Sequence, residues 1–143
     1  MKILLVYDGF DQSALALEEA GALASAEPSS ITVLSVVPPD ARGSKSGGHV
    51  GLRPHAHEDV ARAHAYLRER GIDSEMRIAH GDPVEEILAV ACAAPYDLIV
   101  MGSRGLGPLR GALLGSVTRK VIRDAPCGVI VVTPDAAVPA VAS

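Results

Sequence analysis

Between Met101 and Ser116 the chain carries five glycines, two serines and two arginines, and no acidic residue. The apolar run Leu98-Ile99-Val100-Met101 before it reads as a buried strand, and Val117 to Asp124 after it reads as a helix. A glycine-rich passage from the carboxyl end of a strand to the start of a helix is where open α/β sheets receive phosphorylated ligands. Backbone N–H groups converge on an anion only where side chains do not block the approach. Gly102, Gly105 and Gly115 are placed for this, since glycine both leaves the approach open and allows φ to turn positive. Ser116 is expected at the N-cap, where the helix adds partial positive charge. Arg104, Arg110, Arg119, Lys120 and Arg123 gather here although the net charge is −4. Composition alone leaves open a surface loop merely shaped by glycine, with the last three cations complementing the helix carboxyl end.

The rest of the chain alternates strand and helix. Lys2 to Tyr7 reads as a first strand, broken by Asp8-Gly9, and Asp11 or Ser13 is expected to cap the following helix. Ile31 to Val37 is β-branched and ends at Pro38-Pro39. Residues 40–55 lack periodicity and read as an irregular loop, either a lid or a variable excursion. His55 to Arg70 has helical spacing. Ser74 to Ala79 alternates like a half-buried edge strand. Asp82-Pro83-Val84-Glu85 is a strong helix start. Val129 to Val132 is a last strand, and the tail 134–143 is expected to be loose.

Alternation of this kind specifies an α/β fold, a doubly wound parallel sheet of five strands with helices on both faces, in one domain spanning 1–143. With only one Phe, three Tyr and no Trp, the core must be aliphatic, as suits parallel strands covered on both sides. The negative net charge argues against general nucleic-acid binding. No apolar run approaches the ~20 residues that cross a bilayer, and the amino terminus does not read as a signal peptide, so a cytoplasmic protein is expected. Cys92 and Cys127 lack metal-like spacing and read as buried structural thiols. His57 and His64 share a helix face but stand two turns apart, too far to share one ion.

Two familiar phosphate motifs are absent from the sequence. No Gly-Lys pair exists to complete a P-loop, and Gly105-Leu106-Gly107 is followed by Arg110 where a dinucleotide fingerprint needs glycine. The spacing Gly102-x2-Gly105-x9-Gly115-Ser116 instead resembles the nucleotide-binding signature of the universal stress protein family. The opening strand ending in Asp8-Gly9 and the closing Ala125-Pro126-Cys127-Gly128-Val129 match in place, so the resemblance covers nearly the whole chain. It implies a strand order of 3-2-1-4-5, ATP with Mg2+ or Mn2+ as ligand, and a homodimer. It supports Asp8 as a site residue, accepting from a ribose hydroxyl or helping to hold the cation, and Val36 as a main-chain reader of adenine. The candidate set is Asp8, Gly9, Val36, Met101, Gly102, Ser103, Arg104, Gly105, Gly115, Ser116 and Val117. Phe10 departs from the small hydroxylic residue common in the family.

The apolar strand Val129–Val132 is expected at an unpaired sheet edge, with the homodimer forming there. The expected function is a nucleotide-dependent stress-response or signalling module. The competing readings are a slow ATP hydrolase or nucleotidyl transferase, with Asp8, His80 or Asp82 near the same edge, and a dimeric interaction protein that binds no nucleotide.

Overall fold

The computed structural model describes residues 1–8, 11–39, 55–103, 115–133 and 137–140. Its elements run β1 (Lys2–Val6), α1 (Asp11–Ala26), β2 (Ser30–Val37), α2 (Ala56–Glu69), β3 (Asp73–His80), α3 (Pro83–Ala93), β4 (Leu98–Gly102), α4 (Ser116–Asp124), β5 (Gly128–Val132) and β6 (Ala137–Ala140). The sheet order is β3-β2-β1-β4-β5-β6. The first five strands are parallel and follow the expected 3-2-1-4-5 order.

Apolar residues alternate between two cores. Ile3, Leu5, Tyr7, Ile31, Val33 and Val100 face α1 and α2. Leu4, Leu34, Ile99, Met101, Val129 and Val131 face α3 and α4. Continuous apolar runs in the central strands therefore follow from burial on both faces. A buried hydrogen bond ties the second core together: the Tyr96 hydroxyl donates to Thr32 Oγ1 at 2.9 Å.

Helix ends follow local chemistry. Asp82 caps α3, its carboxylate accepting from the Glu85 amide at 3.0 Å, with Pro83 at the first helical position. α2 ends in a Schellman turn: the Gly71 amide donates to Arg68 O and the Ile72 amide to Leu67 O. Gly71 takes φ 75°, which requires glycine in practice.

Five expectations are corrected. The tail is not loose throughout, because Ala137–Ala140 forms β6, antiparallel to β5 with Val131 opposite Val138. Val129–Val132 is consequently not an open edge, and the premise of a dimer built there is lost: the chain's own backbone fills it. Ser116 is not the N-cap of α4. Gly115 is, and no side chain caps this helix. Ser13 lies inside α1 and bonds back to Asp8. Cys92 is exposed rather than buried, since α3 turns Ile87, Val90 and Ala91 to the core and leaves Cys92 on the far side. Cys127 is half-buried, and burial pushes its thiol up, with Asp97 and Cys92 adding smaller contributions. The loop 40–54 lies outside the described residues.

Two substitutions test this packing. Gly71→Ala meets no neighbouring atom, so its cost is conformational. It should destabilise the chain by about 1 kcal/mol and lower the melting midpoint by a few degrees. Tyr96→Phe should cost ~1–3 kcal/mol by stranding the Thr32 hydroxyl, while the Tyr96→Phe/Thr32→Val pair should recover much of that in denaturant titrations.

Candidate functional site

Strand order reverses at β1 and β4, which lie side by side with Leu5 paired to Val100. Three residues beyond that pair stand Asp8 on one strand and Ser103 on the other. Two residues separated by most of the chain thus reach the same carboxyl edge, where a crevice opens in this class of sheet.

Asp8 is held by Ser13. The Asp8 amide donates to Ser13 Oγ at 2.9 Å, and that hydroxyl donates to Asp8 Oδ1 in a short contact. Ser13 is buried and Asp8 only half so, so the carboxylate is oriented from within and remains reachable. β2 runs three residues past its last pair with β1, Val6 with Leu34. Val36 lies in this overrun, paired with Ala79 of β3 on its other side. The Ser35 hydroxyl beside it is fully buried and has no hydrogen-bond partner among the described residues.

The two ends of the glycine-rich stretch meet. Ser103 leaves β4 with its amide donating to Val132 O at 3.0 Å, and the Gly115 amide donates back to Ser103 O at 3.3 Å. Thr118, fully buried on α4, places Oγ1 3.4 Å from both the Gly102 and Ser103 carbonyls. Ser103 and Gly115, the described residues on either side of 104–114, are therefore in contact. Gly115 has φ −66° and ψ 160°, an ordinary extended conformation, so the expected positive φ does not occur there. Gly102 is a strand residue, and the described glycines with positive φ are Gly71 and Gly81. At Gly115 the absent side chain matters instead. The first-turn amides of Ser116, Val117 and Thr118 have no intrahelical acceptor, and no capping side chain takes them.

Of the sequence-derived set, Asp8, Val36, Met101, Gly102, Ser103, Gly115, Ser116 and Val117 are described, and the topology gathers them at one sheet edge. Gly9, Arg104 and Gly105 lie outside the described residues, as do Phe10 and Arg110. Among the positions proposed for an enzymatic role, Asp82 is engaged in capping α3 and His80 is exposed at the end of β3. A Ser–His contact, His64 Nδ1 to Ser74 Oγ at 2.6 Å, lies near the amino end of β3, away from this edge.

Sequence reasoning missed Ser13 and Thr118 as site-building residues, and it missed a charged group beneath β1. Asp59, buried on α2, lies 3.4 Å from Arg62, whose guanidinium also reaches Tyr7. Burial pushes the Tyr7 phenol up; Arg62 opposes this, while Asp59 and Asp8 add to it. No sequence signal marked Asp59, Arg62 or Thr118, because α2 and α4 are rich in charged and polar residues among which these do not stand out. A surface depression lined by Ala24, Glu27, Pro28, Arg70 and Gly71 lies at the amino ends of the strands, opposite the site.

Comparison with known proteins agrees with this arrangement. The sequence profile of the universal stress protein family matches residues 1–133. A universal stress protein of Thermus aquaticus, from the QAH/OAS sulfhydrylase 3' region, is 35% identical over 132 residues, covering 91% of this chain and 96% of that one. Universal stress protein YxiE of Bacillus subtilis is 32% identical over 144 residues, covering 92% and 97%. A crystal structure of a universal stress protein in complex with cAMP superposes with a TM-score of 0.73 at 28% identity, covering 92% of this chain and 96% of that one. No helix among the described residues is long and apolar enough to cross a membrane. Strand order, the site at the switch point and these matches agree: the chain belongs to the universal stress protein family.

Proposed function

We propose that this chain binds ATP, together with Mg2+ or Mn2+, at the carboxyl edge between β1 and β4, and acts as a nucleotide-dependent stress-response module. The observation that carries the reading is the side-chain-free N-cap of α4 beside Ser103. A helix amino end whose amides no described capping side chain takes favours a polyanion, and glycine at the N-cap adds no side chain of its own there. The chemistry of the other donors fits as well. A carboxylate held by Ser13 suits a ribose hydroxyl or a hard divalent cation, and main-chain groups of Val36 suit an adenine edge. The family relative bound to cAMP supports an adenine nucleotide as the class of ligand.

In this arrangement the residues bind and orient. Gly102, Gly115, Ser116 and Val117 offer backbone to the phosphates, with Gly105 and Arg104 assigned to them by the motif. Asp8 and Gly9 close the sugar side. The nucleotide phosphates supply the negative charge that the first-turn amides of α4 would receive.

Thermal melting with ATP and Mg2+ tests the reading. Ligand in hundredfold excess over its dissociation constant should stabilise the fold by about 2.7 kcal/mol. Gly115→Asp is the sharpest variant. An aspartate is a better N-cap than glycine by a few tenths of a kcal/mol, so the unliganded protein should melt no lower than wild type. Its carboxylate would occupy the α4 amides and repel phosphate, so the nucleotide shift should vanish. A shift that survives Gly115→Asp means the phosphates bind elsewhere, and no shift with wild type at millimolar ATP means the chain is not a nucleotide binder.

Ser13→Ala removes the Ser13 Oγ contacts to Asp8 and should weaken ATP binding by roughly tenfold, about the value of one charge-assisted hydrogen bond. Isothermal titration would detect it. Multiple-turnover phosphate release that disappears in Asp8→Ala would assign the chain to the hydrolases instead.

A further inference from the structure

We propose that Arg62 is a positioning residue for the nucleotide site: by joining Asp59 of α2 to the Tyr7 hydroxyl it fixes the end of β1 from which Asp8 departs, so that α2 sets part of the affinity for nucleotide. Asp8 matters here because, under the proposed function, it closes the sugar side of the ligand, and the role of Arg62 rests on that reading. Tyr7 stands between the last pair of β1 with β2, Val6 with Leu34, and Asp8. Its amide still bonds to the sheet, donating to Leu34 O at 2.8 Å, whereas the amide of Asp8 turns away to Ser13 Oγ. A tilt of Tyr7 is therefore passed to Asp8 through the two soft dihedrals of one residue.

The Tyr7 side chain is held from α2. It is 4% exposed and lies in the core that faces α1 and α2. Val60, Ala63 and Leu67 of α2 belong to the same core, and Asp59, 5% exposed, is buried beside them. The Arg62 guanidinium lies 3.4 Å from the Asp59 carboxylate, one turn along the helix, and also donates to the Tyr7 hydroxyl. Arg62 itself is 64% exposed, so it reaches inward from the surface over Asp59 and ends on Tyr7. Burial is the main influence on the phenol, and Arg62, Asp59 and Asp8 all act on it by charge. Asp8 and the α2 pair thus share one electrostatic neighbourhood.

Stability alone does not call for this arrangement. Apolar residues of similar volume often hold a helix on a sheet as well as a buried ion pair does, because desolvation offsets the attraction. What the polar chain adds is direction. The planar guanidinium donates along fixed lines, to the carboxylate on α2 and to the phenol on β1, and so fixes where the Tyr7 ring ends relative to the helix. Ser13 orients the Asp8 carboxylate locally, while Arg62 sets the level at which β1 delivers it. Arg62 acts through Tyr7 rather than by touching ligand.

Isothermal titration of the full chain with ATP and Mg2+ tests this, together with hydrogen exchange of the Asp8 amide followed by NMR without ligand. Tyr7→Phe removes the hydroxyl and leaves the Arg62–Asp59 pair. Asp59→Asn/Arg62→Met removes both charges together, so that no buried carboxylate is stranded, and a triple variant combines the changes. Tyr7→Phe should weaken ATP binding roughly three- to tenfold, the size of one hydrogen bond to a charged group. The Asp59→Asn/Arg62→Met pair should cost a similar factor, and the triple variant no more than the pair, because the three residues act as one chain. The Asp8 amide should exchange several-fold faster in each. If the pair variant does not fold, Tyr7→Phe, which removes one oxygen, carries the test. A merely structural role would lower the melting midpoint and leave the dissociation constant of the folded protein unchanged, and that result would overturn the proposal. So would a triple variant whose loss is the product of the other two, since Arg62 would then touch ligand itself, or an Asp8 amide whose exchange none of the variants alters. If wild type binds no ATP, the nucleotide reading fails, and exchange of the Asp8 amide alone decides whether Arg62 positions Asp8.

Discussion

Adjacency of β1 and β4 is the constraint on which the rest of this structure depends. Ile3, Leu4 and Leu5 pair with Leu98, Ile99 and Val100, and all but Leu98 are fully buried. A strand buried on both faces tolerates no slip, because a one-residue shift would exchange the two cores. That fixed register carries Asp8 and Ser103 to the same level of the sheet. Everything chemical about the site then follows from what each strand does on leaving the sheet. β1 hands its carboxylate to Ser13, and β4 hands its carbonyls to Gly115 and Thr118.

Glycine serves two different purposes in this chain, and the sequence does not separate them. Gly71 reverses the chain after α2 with a left-handed backbone, which is a matter of conformation. Gly115 has a conformation open to any residue, and under the proposed function its contribution is the missing side chain at the N-cap of α4. The motif spacing singled out Gly102 and Gly115, and the structure brings Gly115 against Ser103, the residue after Gly102. Of the two reasons for expecting glycine there, open approach and positive φ, the second does not hold at Gly115.

The central strands, the Asp82 cap and the α/β class were legible because each rests on a local pattern: apolar runs, a capping sequence, alternation of strand and helix; the strand order came from the family resemblance. β6 was not. Ala137-Val138-Pro139-Ala140 has a proline and no alternation, and it is a strand only because β5 offers a partner. Ser13, Thr118 and the Tyr7–Arg62–Asp59 group escaped for a related reason. A lone hydroxyl or carboxylate within a helix reads the same whether it faces water or a strand end, and only the fold decides. Val36 was reached through family resemblance, since a main-chain contact leaves no mark on the residue that makes it.

β6 also bears on how the sheet ends. An apolar strand such as Val129–Val132 cannot be left with open N–H and C=O groups without inviting another chain. Here four more residues of the same chain satisfy it, at the low entropic cost of closing a short hairpin. Once that edge is occupied, the charged strand β3 becomes the longer outer edge. It is protected by charge: Asp73, Glu75 and Arg77 are exposed along it, and charged side chains on an edge strand oppose pairing with other chains.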